Sequence, residues 1–145
     1  MSKIKDVLLF LKKIYKYFTI WVLTLSFLYY LGDLEDYYFD LVILHLMISV
    51  LTLYIVYIHP QKLVIDLGVY KKELTGRELR MMDIVFHHLP LILLLANPGK
   101  IKKSYLMIIL PLLYRLIVDP IKVYGVKDII TFLVYISGLV IYLLF

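Results

Sequence analysis

The sequence predicts an all-α, polytopic transmembrane helix bundle, and three observations carry that prediction. Of the 145 residues 63% are hydrophobic, and the mean hydropathy is +0.89. The apolar residues gather into about five hydrophobic segments, at about 17–32, 40–58, 81–96, 104–118 and 128–145, each bounded by charged or turn-forming residues. A chain of this length leaves no room for a separate soluble domain. Residues 1–145 therefore read as a single transmembrane domain, and any chemistry must be built between spans or on short loops.

Composition excludes several functions. Cysteine is absent, which removes disulfides, thiolate metal sites and a cysteine nucleophile. Sixteen Lys and Arg face eleven Asp and Glu, but the lysines flank apolar runs. That placement suits anionic head groups and topology setting, so the membrane is the expected partner and nucleic acid is not.

Residues 3–16, KIKDVLLFLKKIYK, alternate apolar clusters with lysines, the pattern of an interfacial helix leading into the first span. No small-residue cleavage pattern follows that span, which is expected to be retained. After Gly32 comes an acidic loop with Asp33, Glu35, Asp36 and Asp40; the second span then ends at His59 and Pro60. Lysines precede span one, and Lys62, Lys71, Lys72, Arg77 and Arg80 follow span two, so the positive-inside rule predicts a cytoplasmic N terminus. The third segment, closed by Asn97-Pro98-Gly99, is a marginal span. If it crosses fully, Lys100, Lys102 and Lys103 lie outside against the rule; if it is re-entrant, they stay inside. Five crossings is the simpler reading of an integral, multi-pass protein of the endomembrane or plasma membrane.

Ionisable residues inside apolar runs are expensive, so each is a candidate. Arg115 and Asp119 read most simply as an interfacial i, i+4 pair. His45 and His59, at the two ends of span two, read as interfacial residues. Thr24, Ser49 and Thr52 are expected to bond back to their own helix or to a neighbour. Asp83 and His87, four apart in MMDIVFHHLPLILLL, share one helical face, where a carboxylate can fix the tautomer of an imidazole. That is the base and orienter half of a catalytic triad; the bland alternative is a capping carboxylate and a packing histidine. His88, about 100° further round an α-helix, is expected on another face.

Adjacent histidines also suggest haem. His45 falls ~7 Å below the outer boundary and His87 ~10 Å above the inner one, at ~1.5 Å per residue, too far apart for one iron; His87 with His59 stays open. Thr19, two or three residues into span one, lies near the depth of His87. A hydroxyl, an imidazole and a carboxylate can thus converge in the inner leaflet.

The segment Tyr15-Lys16-Tyr17-Phe18-Thr19 resembles the start of the nucleophile-bearing span in the androgen-induced gene and androgen-dependent TFPI-regulating protein family. DIVFHHLPLILLL resembles that family's histidine stretch with its apolar-Pro-apolar run, and LTLYIVYIHPQKLV its aromatic-rich span end. The chain is shorter, with about five spans against about six. Pro90 follows His87 by only three residues, so His88 rivals His87. The resemblance implies an intramembrane threonine hydrolase of lipid esters, such as fatty acid esters of hydroxy fatty acids. Thr19 would be the nucleophile, His87 the base and Asp83 its orienter, with a lipid substrate and no cofactor or metal. The competing expectations are a non-enzymatic membrane scaffold or assembly protein, and a small transporter. The sequence leaves the oligomeric state open.

Overall fold

The computed structural model describes residues 2–58, 63–67 and 70–145, and within them the chain is mostly helical. His59, Pro60 and Lys62, used above to close span two, to weigh haem and to orient the chain, lie outside the described residues. The helices are α1 (Ser2–Ile14), α2 (Phe18–Tyr30), α3 (Tyr38–Leu53, continued by a π-helical turn Tyr54–Ile58), and α4 (Gly76–Ala96). They are followed by α5 (Leu106–Ile117), the short α6 (Pro120–Tyr124) and α7 (Asp128–Leu144). A two-stranded antiparallel hairpin, β1 (Val64–Asp66) and β2 (Lys71–Glu73), joins α3 to α4. The sequence reading had no strand there.

Two helices are long and apolar enough to cross a membrane, Glu35–Ile58 with 24 residues and Gly76–Ala96 with 21; α2, α5 and α7 are shorter apolar helices. The third segment is longer than its apolar run. Thr75 caps it: the threonine hydroxyl accepts from the Glu78 N–H while the Glu78 carboxylate accepts from the Thr75 N–H. This capping box starts the helix at Gly76. Asp83 therefore does not cap the segment; it lies eight residues in and is buried.

α3 is central and packs on α2, α4, α5 and α7. The core gathers Val22, Leu44 and Met107 with the stacked rings of Phe39 and Tyr142, 5.4 Å apart. Gly138 lets α7 approach α3 closely, since a Cβ there would stand 2.7 Å from Met47 Cγ. Small residues serve this purpose where helices pack tightly.

Polar contacts fix the two ends of the bundle. At one end Lys13 pairs with Asp66, 3.1 Å apart, tying α1 to the hairpin. At the other, Lys102 pairs with Asp36, and Ser104 Oγ donates to the Asp36 carbonyl at 2.8 Å. The ammonium of Lys102 holds the Asp36 carboxyl below its ordinary range. α4 thus runs from end to end, antiparallel to α3. Lys100, Lys102 and Lys103 share an end with the acidic loop, where Lys102 meets its counter-charge.

Asp40 belongs to α3 rather than to that loop. It is fully buried, and its carboxylate accepts from Ser104 N at 3.0 Å and Met107 N at 2.9 Å. It supplies negative charge at the start of α5, where backbone N–H groups lack partners. At the other end of α5, Arg115 meets Asp119 at 3.5 Å, as the spacing predicted, and also Asp128 at 2.9 Å.

Candidate active site

Thr19 sits in the first turn of α2, and the corner before it is pinned from three sides. Trp21 Nε1 donates to the Tyr15 carbonyl at 2.6 Å, the Tyr114 hydroxyl to the Lys16 carbonyl at 2.5 Å, and the Phe18 N–H to the Tyr124 hydroxyl at 2.8 Å. The indole and both phenols come from an aromatic-rich sequence whose rings carry polar tips to backbone groups left bare by the turn.

The imidazole arrives on α4. Thr19 Oγ1 and His87 Nε2 lie 3.1 Å apart, and His87 Nδ1 lies 3.1 Å from Asp83 Oδ1. An ionised carboxylate only accepts, so Nδ1 carries the proton and Nε2 is left to accept from the threonine hydroxyl. Asp83 is 1% exposed and His87 17%. Thr19, Asp83 and His87, the three residues singled out from the sequence, come together.

His88 departs from expectation. Its Nε2 lies 3.0 Å from the other oxygen, Asp83 Oδ2, although an α-helix would turn it away. Residues Ile84–His88 form a π-helical turn, whose i→i+5 pattern brings residue i+5 round to the face that i+4 occupies. The cause stands next in sequence: Pro90 has no N–H, and its ring would collide with the Phe86 carbonyl in a regular helix. A widened turn relieves that collision. Asp83 therefore receives both imidazoles, one on each oxygen, but only His87 reaches Thr19. Ser49 Oγ donates to the His87 carbonyl at 3.2 Å, anchoring the turn to α3.

His45 also departs from expectation, being fully buried rather than interfacial. Its Nε2 lies 2.8 Å from Ser26 Oγ, and its Nδ1 has no hydrogen-bond partner among the described residues. Burial of a polar atom normally demands a partner, so sequence position alone did not reveal this pair. Thr24 bonds back to the Ile20 carbonyl at 2.8 Å, and Thr52 to that of Ser49 at 3.1 Å, as expected.

A cavity of about 270 Å³ opens beside the site. Thr19, Asp83 and His87 lie on its wall with Tyr124, and the remaining lining is nearly all apolar, including Phe10 and Ile14 of α1 and Ile65 of the hairpin. α1 and the hairpin thus enclose a hydrocarbon-lined space over one polar spot, the composition expected of a site for an apolar ligand with one reacting group. Among the described residues no group of three or more His, Asp or Glu side chains is arranged to hold a metal ion.

Comparison of the chain with protein-family models, with curated proteins and with solved structures finds no match.

Proposed function

We propose that this protein is an intramembrane hydrolase of lipid esters, such as fatty acid esters of hydroxy fatty acids, with Thr19 as nucleophile, His87 as base and Asp83 as orienter. One observation carries the reading: the Thr19 hydroxyl, 3.1 Å from His87 Nε2, with Asp83 behind the ring, lies on the wall of an apolar cavity. The resemblance of the Thr19 and His87 segments to the androgen-induced gene family points the same way.

The proposed setting is a polytopic bundle. Only 17% of the apolar window in Gly76–Ala96 is buried, and Leu116, Phe27 and Ile92 turn more than half their surface outward. Apolar surface of that extent suits lipid. α2, α3, α4, α5 and α7 would make five crossings, with α1 at the interface and the N terminus in the cytoplasm, the side to which the positive-inside rule assigns the ten Lys and Arg that precede Lys100.

In the reaction Thr19 Oγ1 attacks the ester carbonyl as His87 Nε2 takes its proton. Asp83 holds the ring in the tautomer that can do so and stabilises the imidazolium. His87 then protonates the departing alcohol, and water attacks the threonyl ester by the same route. The apolar wall strengthens these interactions by excluding water. Membranes carrying the protein should label with a fluorophosphonate probe and hydrolyse lipid esters. Thr19→Ala and His87→Ala should each abolish both, and retained labelling in both variants sinks the mechanism.

A non-enzymatic scaffold is the second reading, favoured by the buried Ser26 and His45 pair joining α2 to α3. Under it, Thr19→Ala would change stability alone.

A further inference from the structure

Ester hydrolysis through Thr19 needs a donor for the oxygen that turns negative during attack, and Thr19, His87 and Asp83 supply none. We infer, on the basis of the hydrolase reading above, that the Tyr124 hydroxyl is that donor, binding the ester carbonyl oxygen and then the oxyanion.

Tyr124 ends α6, outside the long helices, and lies on the wall of the Thr19 cavity. It also lines a second, mostly apolar cavity of about 320 Å³, together with Phe18, so its ring borders two hydrocarbon spaces. Its position is built. Asp119 caps α6 by accepting from Ile121 N at 3.1 Å, and Gly125 closes it with a positive φ of 65°, donating to the Ile121 carbonyl at 2.8 Å. Tyr17 packs edge-on against the ring at 6.4 Å.

The hydroxyl oxygen accepts the N–H of Phe18 at 2.8 Å, one residue before the nucleophile. The Tyr114 hydroxyl, the Thr19 N–H and the Thr19 side chain also meet the Tyr124 hydroxyl. A phenol has one proton to give and two acceptor positions. Its acceptor positions are taken by backbone N–H groups, and because the Thr19 proton goes to His87 Nε2 and the Tyr114 proton to the Lys16 carbonyl, the phenol's own proton rests on one of those neighbouring hydroxyl oxygens, from which it can turn to an oxygen arriving beside Thr19. Burial pushes the Tyr124 phenol above its ordinary value, so it keeps that proton through neutral and mildly alkaline pH.

The step balances. The bond from Thr19 Oγ1 to the carbonyl carbon forms, the threonine proton passes to His87 Nε2, and the carbonyl π pair moves onto oxygen. Tyr124 hydrogen-bonds that oxygen without transferring its proton. The pair then returns, the bond to the alkoxy oxygen breaks, and the alcohol leaves with the proton from His87.

The test compares wild type, Tyr124→Phe and Thr19→Ala, each as the full chain in lipid vesicles. Tyr124→Phe should lower kcat by about 10²–10³-fold with KM little changed. Its affinity for a long-chain trifluoromethyl ketone, whose adduct with Thr19 carries an oxyanion, should fall by a similar factor. Affinity for free fatty acid should not move. If Thr19→Ala still hydrolyses ester, the hydrolase reading itself is lost. If Thr19→Ala is inactive while Tyr124→Phe keeps wild-type turnover and ketone affinity, only the role of Tyr124 is overturned.

Removing the phenol also strips the Phe18 N–H of its acceptor, so a second variant guards against misfolding. With 3,5-difluorotyrosine at 124 the shape is kept and the phenol is more acidic. Activity should then fall on the alkaline side as the phenol ionises and loses its proton, at a pH where wild type is still active. An alkaline limb identical to wild type overturns the inference.

Discussion

Thr19 meets His87 at 3.1 Å and Ser26 meets His45 at 2.8 Å, so α2 carries two hydroxyl and imidazole pairs two helical turns apart. The surroundings separate them. Behind His87 stands the Asp83 carboxylate, and beside it lies a cavity. Behind His45 none of the described residues takes the Nδ1 position, and the pair is sealed in the core. A hydroxyl on an imidazole is therefore only a helix-to-helix bond until a carboxylate sets the tautomer and a hollow admits a ligand. The same two functional groups serve as adhesive in one place and, on the proposed reading, as reagents in the other.

Removing Thr19 or His87 should break the contrast most completely. Either alanine variant is expected to lose ester hydrolysis by about 10⁴-fold or more in membrane assays, while Ser26→Ala keeps its rate per folded molecule. Equal losses in Thr19→Ala and Ser26→Ala would mean that the two pairs do not differ as argued. Next comes Asp83→Asn, which keeps the shape but lets the wrong imidazole nitrogen hold the proton. A drop on the order of 10³–10⁴-fold is expected, with helicity by circular dichroism unchanged. A wild-type rate in this variant would remove the carboxylate from the account.

His88→Gln tests which ring on Asp83 matters. It deletes one hydrogen bond, worth about 0.5–1.5 kcal/mol, so turnover should fall by no more than about tenfold. A loss as deep as that of His87→Ala would transfer the base to His88. Ser26→Ala should act on stability alone. It leaves both nitrogens of a buried imidazole unpartnered, a cost of about 1–3 kcal/mol that thermal unfolding in detergent would register.

Much of this was legible in the sequence, for reasons that can be named. The five apolar segments match helices within a few residues because hydrocarbon runs bounded by charge leave the chain few choices. Asp83 and His87 were readable because four residues is a helical repeat, and Thr19 because depth along antiparallel helices can be counted from their ends. The misreadings have local causes. The start of α4 lay hidden in Thr75 and Glu78, a polar capping box outside the apolar window. His88 was misplaced because the α-helical repeat fails in a π turn, although Pro90 was the available signal. Asp40 looked like one more acid of a loop, yet its partners are backbone N–H groups more than sixty residues away. Tyr124 carried no signal at all, since one of fourteen tyrosines becomes distinctive only when its oxygen is seen beside Phe18.

The distance along the chain between Thr19 and His87 is 68 residues, and the contact between Asp36 and Lys102 that fixes the far end of α4 spans 66. The hydroxyl and the imidazole it meets are thus made at different times. A nascent chain that has released only α2 and α3 holds an ordinary, unreactive threonine. On the proposed reading, the enzyme stays silent throughout its own synthesis and switches on only when the fourth helix docks, which makes activity a direct report of assembly.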